Sequence, residues 1–463
     1  MEIFKDEKIK KILDKISDAI KHTCFEGKVY VVGGAIRDSL LGLPIKDLDI
    51  VVEYKCGGIM LANLLAAREK CYVFGSNPVV FETYGTAKIN LLKDKELSDI
   101  DIEFVQTRKE QYHKESRNPD TVYGTIEEDA KRRDLTINSL YYNITTKKLH
   151  DFNQGIDDLT NCVLRTPTEP DITFGDDPLR ILRIIKTSSK LGWGIEKKTW
   201  LGMIKNAPRI KIVSQERISE EISKILTSPN ASVGIRKMLY CGILHRVMPD
   251  IYDMTSAYES YNPSITTFDH TMMVINKVQP YIENRLAALF HDVGKKFASK
   301  DKSMDADEFS ADIAASDLKA MKFPNHVINA VECAIRNHRS FKDYADGTMP
   351  PDRKIRKFIN KCGDNIGTAL DLMNANNLSQ TSEKKEKQVL DIINRIEELE
   401  TIEESKNIHL PISGQDIIEK FSLKSGKTIG ILLNAVKEEY FSNPSMTKEE
   451  AFSIVEANLK KVV

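Results

Sequence analysis

The chain has 463 residues, with 67 Lys and Arg against 68 Asp and Glu and a formal net charge of −1. A single hydrophobic core stops growing well short of that length, so several domains are expected. The near-neutral balance excludes a globally basic nucleic-acid binder, and the absence of any apolar run near the roughly 20 residues of a membrane span excludes a helical membrane protein.

The first segment, Met1 to His22, is too charged for a secretory signal. It sets Ile9, Ile12, Leu13, Ile16 and Ile20 at helical spacing, which predicts an amphipathic helix. From Val29 to about Asn143, short β-branched runs (VYVVGG, LDIVV, DIEFV) alternate with helical patterns, as in a mixed sheet domain. Gly33 and Gly34 close the first run and open AIRDSLLG. Glycines at such a turn let the backbone approach an anion, and the first amides of the helix can donate to phosphate; a plain strand-to-helix turn has the same pattern.

The next run, DLDIVV, carries two carboxylates in an apolar strand. Side chains two apart share a face, so Asp47 and Asp49 point the same way, roughly 7 Å apart at Cα. Like charges that close call for a cation, and an oxygen-only set without His or Cys suits Mg²⁺ or Mn²⁺. A second acidic run, SDIDIEFVQTR, places Asp101 and Glu103 on one face. Paired beside the first strand, one of them would complete a cluster of three carboxylates able to hold two metal ions.

KRRDLTINSL then groups Arg132, Arg133 and Asp134 with Asn138. Guanidinium forks suit phosphate, and an Asp or Asn can read a ribose hydroxyl; a surface ion pair at a helix start is the plain alternative. GDDPLRILRIIK sets Asp177 and Arg180 three apart on one predicted helix face, which in isolation reads as an i,i+3 ion pair. Beyond about Pro178 the apolar spacing is almost entirely helical, and breaks are expected near 261–268, near 379–388 and just before LPISGQD.

Five of these stretches stand in one order: GGAIRDSLLG…KDLDIVV, YGTAKI, RRDLTINSLYYN, DDPLRILRIIKTSSKLGW and ERISEEISKIL. Over about residues 28 to 226 they resemble the tRNA nucleotidyltransferase and bacterial poly(A) polymerase family, the second class of the DNA polymerase β superfamily. The resemblance implies template-independent addition of nucleotides from CTP and ATP to RNA 3′ ends, with Asp47 and Asp49 as metal ligands. It favours Glu103 over Asp101 as the third carboxylate, on its distance from Arg108. It also implies nucleotide contacts from Gly33, Gly34, Arg37, Arg132, Arg133, Asp134, Asn138 and Arg183, and a protein template made by Asp177 and Arg180. An acceptor beside a donor complements cytosine or adenine, whereas guanine and uracil present a carbonyl to the carboxylate. The family's first template residue is Glu, and here it is Asp176.

Further on, TFDHTMMV and LFHDVGKK resemble the HD phosphohydrolase superfamily, which implies a metal site at His270, His291 and Asp292. Asp312 stands where that superfamily has His, and Asn376 where it has a final Asp; His338 remains available. LKSGKTIG is similar to a phosphate loop, but Phe421 occupies the place of its first glycine. The tail from Leu410 resembles the family's tRNA-supporting tail, with amides at Gly426 to Gly430 as phosphate donors and a plain helix cap as the alternative. Seven scattered cysteines without a CxxC pair argue against a disulfide framework and for the cytoplasm.

The expected architecture is multidomain α+β. It comprises a polymerase-β-like head with a small mixed sheet (1–145), an all-α neck that recognises the base (146–258), an HD-like helical body (259–380) and a helical RNA-binding tail (381–463). The expected function is CCA addition to tRNA, with the tRNA 3′ end, CTP and ATP as partners and neither a membrane nor a protein partner. The alternatives are a poly(A) polymerase, a CC- or A-adding specialist and, from other classes, an HD metal phosphohydrolase or a non-catalytic RNA-binding protein.

Overall fold

The computed structural model describes residues 3–68, 78–82, 85–89, 100–111, 120–298, 305–342, 344, 348–379, 383–404, 410–423, 426–440, 443 and 445–462. Two compact units divide at Pro249 and Asp250.

The first unit begins with α1 (Glu7–Ile20), followed by strands β1 (Val29–Val32), β2 (Asp47–Val52), β3 (Val79–Phe81), β4 (Thr86–Ile89), β5 (Asp101–Gln106), β6 (Arg108–Gln111), β7 (Asp120–Tyr123), β8 (Leu140–Asn143) and β9 (Leu149–Asp151). Between them run α2 (Gly34–Leu40), α3 (Gly57–Ala67) and α4 (Ile126–Lys131). Seven strands form one sheet in the order β3-β4-β5-β2-β1-β8-β9, while β6 and β7 make a separate hairpin. The β2–β5 pair is parallel and its neighbours are antiparallel, so the sheet is mixed.

The period of two in β2 decides what lies on either side of the sheet. Leu48, Ile50 and Val52 enter a core with Ile9, Ile12 and Ile16 of α1 and Leu61 and Leu65 of α3. Val51 faces the other way, with Tyr30, Val32, Tyr141 and Ala130 of α4. Asp47 and Asp49 share the face of Val51, the side that α4 covers only in part. The Ile9 to Ile20 stripe read from the sequence is buried throughout.

The helical remainder of this unit holds α5 (Gly155–Thr160), α6 (Pro170–Asp176), α7 (Leu179–Leu191), α8 (Lys197–Asn206), α9 (Gln215–Leu226), α10 (Ala231–Tyr240) and α11 (Leu244–Val247); α12 (Pro249–Asp253) spans the division. A two-residue parallel bridge, β10 (Val163–Leu164) with β11 (Gly194–Ile195), is its one pairing of strands among the described residues.

In the second unit the stretch 261–268, expected as a break, instead closes a small hairpin of β12 (Tyr258–Glu259) and β13 (Asn262–Thr266). The helices that follow are α13 (Thr267–Ile275), α14 (Ile282–Phe290), α15 (Lys295–Ala298), α16 (Ala306–Ala320), α17 (Asn325–Asn337), α18 (Asp352–Cys362), α19 (Ile366–Ser379) and α20 (Glu383–Glu404). The last three, α21 (Gly414–Phe421), α22 (Lys427–Tyr440) and α23 (Lys448–Val462), gather around Ile417, Leu432, Val436 and Val455. Gly430 lies inside α22, so its amide belongs to that helix, while Lys424 and Ser425 of the loop-like stretch lie outside the described residues. No helix of the described residues is long and apolar enough to cross a membrane.

Candidate active site

Strands β2 and β5 pair in a register that sets Asp47 beside Asp101 and Asp49 beside Glu103. All four acids therefore share one face, as the alternation in each strand predicts. Asp101 is engaged by Lys88, 3.1 Å away, whereas Glu103 feels the charge of Asp49. Burial pushes the Asp49 carboxyl up, with Arg133 opposing and Asp47 adding to the rise; burial and then Asp49 do the same to Glu103. Among the described residues, three potential ligand atoms close to within 4.8 Å only at His270, His291 and Asp292, so the strand acids share a face without converging to that spacing.

Gly33 follows β1 at φ +75°, a conformation that favours glycine, and Gly34 opens α2. A β-carbon at Gly33 would stand 3.4 Å from Asp49 Oδ2 and 3.5 Å from Arg133 Nη1. The turn thus lies directly over the acid and the arginine. Arg37, one turn into α2, donates to Asn138 at 2.8 Å and to its neighbour Asp38.

Thr125 and Glu128 form a capping box at the start of α4, and the helix delivers Asp129, Arg132 and Arg133 to the sheet. Asp129 is fully buried and binds Arg132 at 2.7 Å, Arg133 at 3.1 Å and the Tyr141 hydroxyl. Burial alone would raise its pKa, but the two guanidiniums and the hydroxyl outweigh that and hold it at about 2. Asp134 is likewise held well below the usual carboxylate range: burial opposes, and Arg183 at 3.1 Å and Asn138 at 3.0 Å prevail.

Asp177 and Arg180 do not share a helix. Pro178 disfavours the α conformation for the residue before it, so Asp177 is extended (φ −137°, ψ 104°) ahead of α7 and accepts from the Leu179 amide at 3.0 Å. Arg180 sits in the first turn of α7, where Nη1 donates to the Thr173 carbonyl at 3.1 Å and Nη2 lies 3.5 Å from Glu110.

Two residues here escaped sequence reading. Asp129 had a signal, since it stands three and four residues before Arg132 and Arg133 in a helical segment. Glu110 had none. In RKEQ it reads as one more charge on a solvated strand, yet its side chain is 3% exposed and also binds Arg108 at 2.9 Å and Arg132 at 3.0 Å.

In the second unit His270, His291 and Asp292 lie together and buried. His291 Nδ1 donates to the Ala288 carbonyl at 2.8 Å and His338 Nδ1 to the Ile335 carbonyl at 2.7 Å, so both rings turn Nε2 inward; that of His338 has no hydrogen-bond partner. Asn376 Oδ1 lies 2.9 Å from His270 Nε2. Lys295 and Arg339 flank Asp292 at 2.6 and 2.8 Å. Asp312 points elsewhere, to Arg336.

A mixed sheet with acids on its parallel pair, a glycine turn above them and half-buried arginines behind is the arrangement of a nucleotidyltransferase head. Residues 29–165 match the family model of the Poly A polymerase head domain. Residues 192–254 match the family model described as "Probable RNA and SrmB- binding site of polymerase A", and residues 307–453 the one described as "tRNA nucleotidyltransferase domain 2 putative". Three models drawn from tRNA nucleotidyltransferases and poly(A) polymerases thus match successive parts of the chain.

Its relatives include the mitochondrial CCA tRNA nucleotidyltransferase of Candida glabrata, 36% identical over 44% of this chain and 40% of that protein. The tRNA nucleotidyltransferase cca2 of Schizosaccharomyces pombe is 36% identical over 51% of each. The chain thus matches about half the length of these relatives or less. In fold it is similar to the Bacillus stearothermophilus CCA-adding enzyme in complex with CTP, with a TM-score of 0.69 and 20% identity over 98% of this chain and 99% of that one. The Thermotoga maritima CCA-adding enzyme complexed with tRNA gives a TM-score of 0.56 and 20% identity over 98% and 96%.

Proposed function

We propose that the chain adds CMP and AMP, from CTP and ATP, to the 3′ end of tRNA to complete CCA. The observation that carries this reading is the parallel register of β2 and β5, which brings Asp47, Asp49 and Glu103 to one face under the Gly33 turn and beside Arg133. The RNA 3′-hydroxyl attacks the α-phosphorus, a new P–O bond forms, the bond to pyrophosphate breaks, and the hydroxyl proton is released. The acids are oxygen donors whose charges are partly desolvated and mutually repelling, so they fit Mg²⁺ or Mn²⁺. A divalent ion there supplies charge neutralisation and activation of the hydroxyl.

Glu103, which pairs beside Asp49 and feels its charge, is the third acid of the proposal; Asp101 makes an exposed ion pair with Lys88, whose charge also reaches Glu103. The amides at Gly33 and Gly34, with Arg37, Arg132 and Arg133, receive the triphosphate, and Asp134 and Asn138 the sugar. Asp177, Arg180 and Arg183, at the start of α7, read the base. Cytoplasmic location is part of the proposal, tested by imaging a tagged chain, since two relatives are named as mitochondrial.

The deciding experiment offers tRNA transcripts ending before CC, before A, and unrelated oligo(A), each with labelled CTP and ATP. Growth that stops after CCA is the expected result. Long A tracts on any RNA would make it a poly(A) polymerase, and extension of only one truncated tRNA would make it a CC- or A-adding specialist.

The second unit supports a separate reading as a divalent-cation site at His270, His291 and Asp292, favoured by the unpartnered His338 Nε2 beside them. Phosphohydrolysis is not part of the proposal. Asn376 takes the place of the final carboxylate, and Lys295 and Arg339 already balance Asp292.

A further inference from the structure

We infer that Glu110 is a positioning residue for base selection, holding the guanidinium of Arg180 in a fixed direction; the inference rests on the reading of Arg180 given above. One buried carboxylate gathers three arginines from three elements: Arg108 of β6 at 2.9 Å, Arg132 beyond α4 at 3.0 Å and Arg180 of α7 at 3.5 Å. Arg180 is held from its other side by the Thr173 carbonyl of α6 at 3.1 Å. A carbonyl of the helical part and a carboxylate of the head hairpin therefore bracket the same fork.

An arginine has several rotatable bonds and reads a base edge selectively only when its fork is held before the base arrives. Glu110 supplies that hold, and its charge keeps three close guanidiniums from repelling one another. Asp176 registers the same field: burial first, and then Glu110, raise its carboxyl against the pull of Arg180. Glu110 need not touch the nucleotide. It acts through Arg180, so its removal should blur the choice of base more than it slows transfer.

The test uses the full-length chain and a tRNA lacking CCA, with CTP, ATP, UTP and GTP each supplied alone. Glu110→Gln should lower the kcat/KM preference for CTP over UTP and for ATP over GTP by about tenfold, mostly through KM, the scale of one lost base-edge contact. Arg108→Gln removes a different partner of Glu110, one with no assigned role at the base, and should leave both ratios within about twofold on the same scale. A purely structural role would lower incorporation of all four nucleotides alike and leave the ratios unchanged, which overturns the inference. Equal loss of selectivity in Arg108→Gln also overturns it. Should Glu110→Gln not fold, Glu110→Asp keeps the counter-charge but draws it back by one methylene, and the ratios must still fall. Failure of the wild-type chain to incorporate any nucleotide would instead refute the reading of the site itself, and this inference with it.

Discussion

Asp129 and Asp49 are carboxylates on the same side of the sheet with opposite electrostatics. Asp129 is saturated by Arg132, Arg133 and Tyr141 and stays ionised, whereas Asp49 is raised by burial and by Asp47. The folded pKa of Asp129 lies below its unfolded value of 3.8, so its stabilisation is fully present above about pH 4 and is lost as pH falls towards 2. A shift from 3.8 to about 2 is worth about 2 kcal/mol in the folded state. Asp129→Asn should therefore lower the unfolding midpoint at pH 7, and the gap from wild type should narrow steadily between pH 4 and pH 2.5 in thermal melts. A gap independent of pH would mean that shape, not charge, is what Asp129 contributes. Gly33 allows a second test at this scale. Gly33→Ala meets a left-handed backbone and a crowded Asp49 and Arg133, so nucleotide incorporation should drop at least tenfold, while Gly27→Ala, at φ +76° with open space around it, should leave incorporation intact.

At the scale of elements, α4 is only six residues long, and its capping box does much to set where its arginines emerge. Thr125→Ala removes the hydroxyl that accepts from the Glu128 amide and should cost about 1 kcal/mol, read as a lower urea midpoint. Loosening Arg132 and Arg133 should also raise the KM for the nucleotide more than it lowers kcat. The β2–β5 pair is the other decisive element. Alternation in DLDIVV and DIDIEF was enough to say which residues share a face within each strand. That the two strands are parallel neighbours in register, Asp49 to Glu103, depends on contacts between segments 54 positions apart in the chain (103 minus 49). The helix assumed to carry both Asp177 and Arg180 is broken by Pro178, a restriction visible in the sequence but outweighed there by the i,i+3 spacing.

Across the whole molecule, the two candidate sites fall in separate units: the strand acids and their arginines in Met1–Pro249, the His270, His291 and Asp292 cluster in Asp250–Val463. The second-unit cluster should be detectable without reference to nucleotide transfer. Purified wild-type chain should bind Mn²⁺ or another divalent transition metal by plasma mass spectrometry, His291→Ala should lose it, and CCA addition should be unchanged. A metal-free wild type would leave Asp292 to Lys295, Arg339 and the neighbouring His291, and would sink the cation reading.

Local chemistry was written in the order of the residues. The helical stripe of α1, the glycine turn after β1, the paired acids of β2 and the arginines beyond α4 each follow from spacing, because backbone geometry repeats every 3.6 or 2 residues. Only the tertiary structure decided which distant polar groups meet. Glu110 became the partner of Arg108, Arg132 and Arg180, and Asn376 met His270 from 106 residues away. A charged side chain on an exposed-looking strand and one at the centre of a buried network have the same sequence signature. What separates them is the burial that folding imposes, which strengthens every charge left inside.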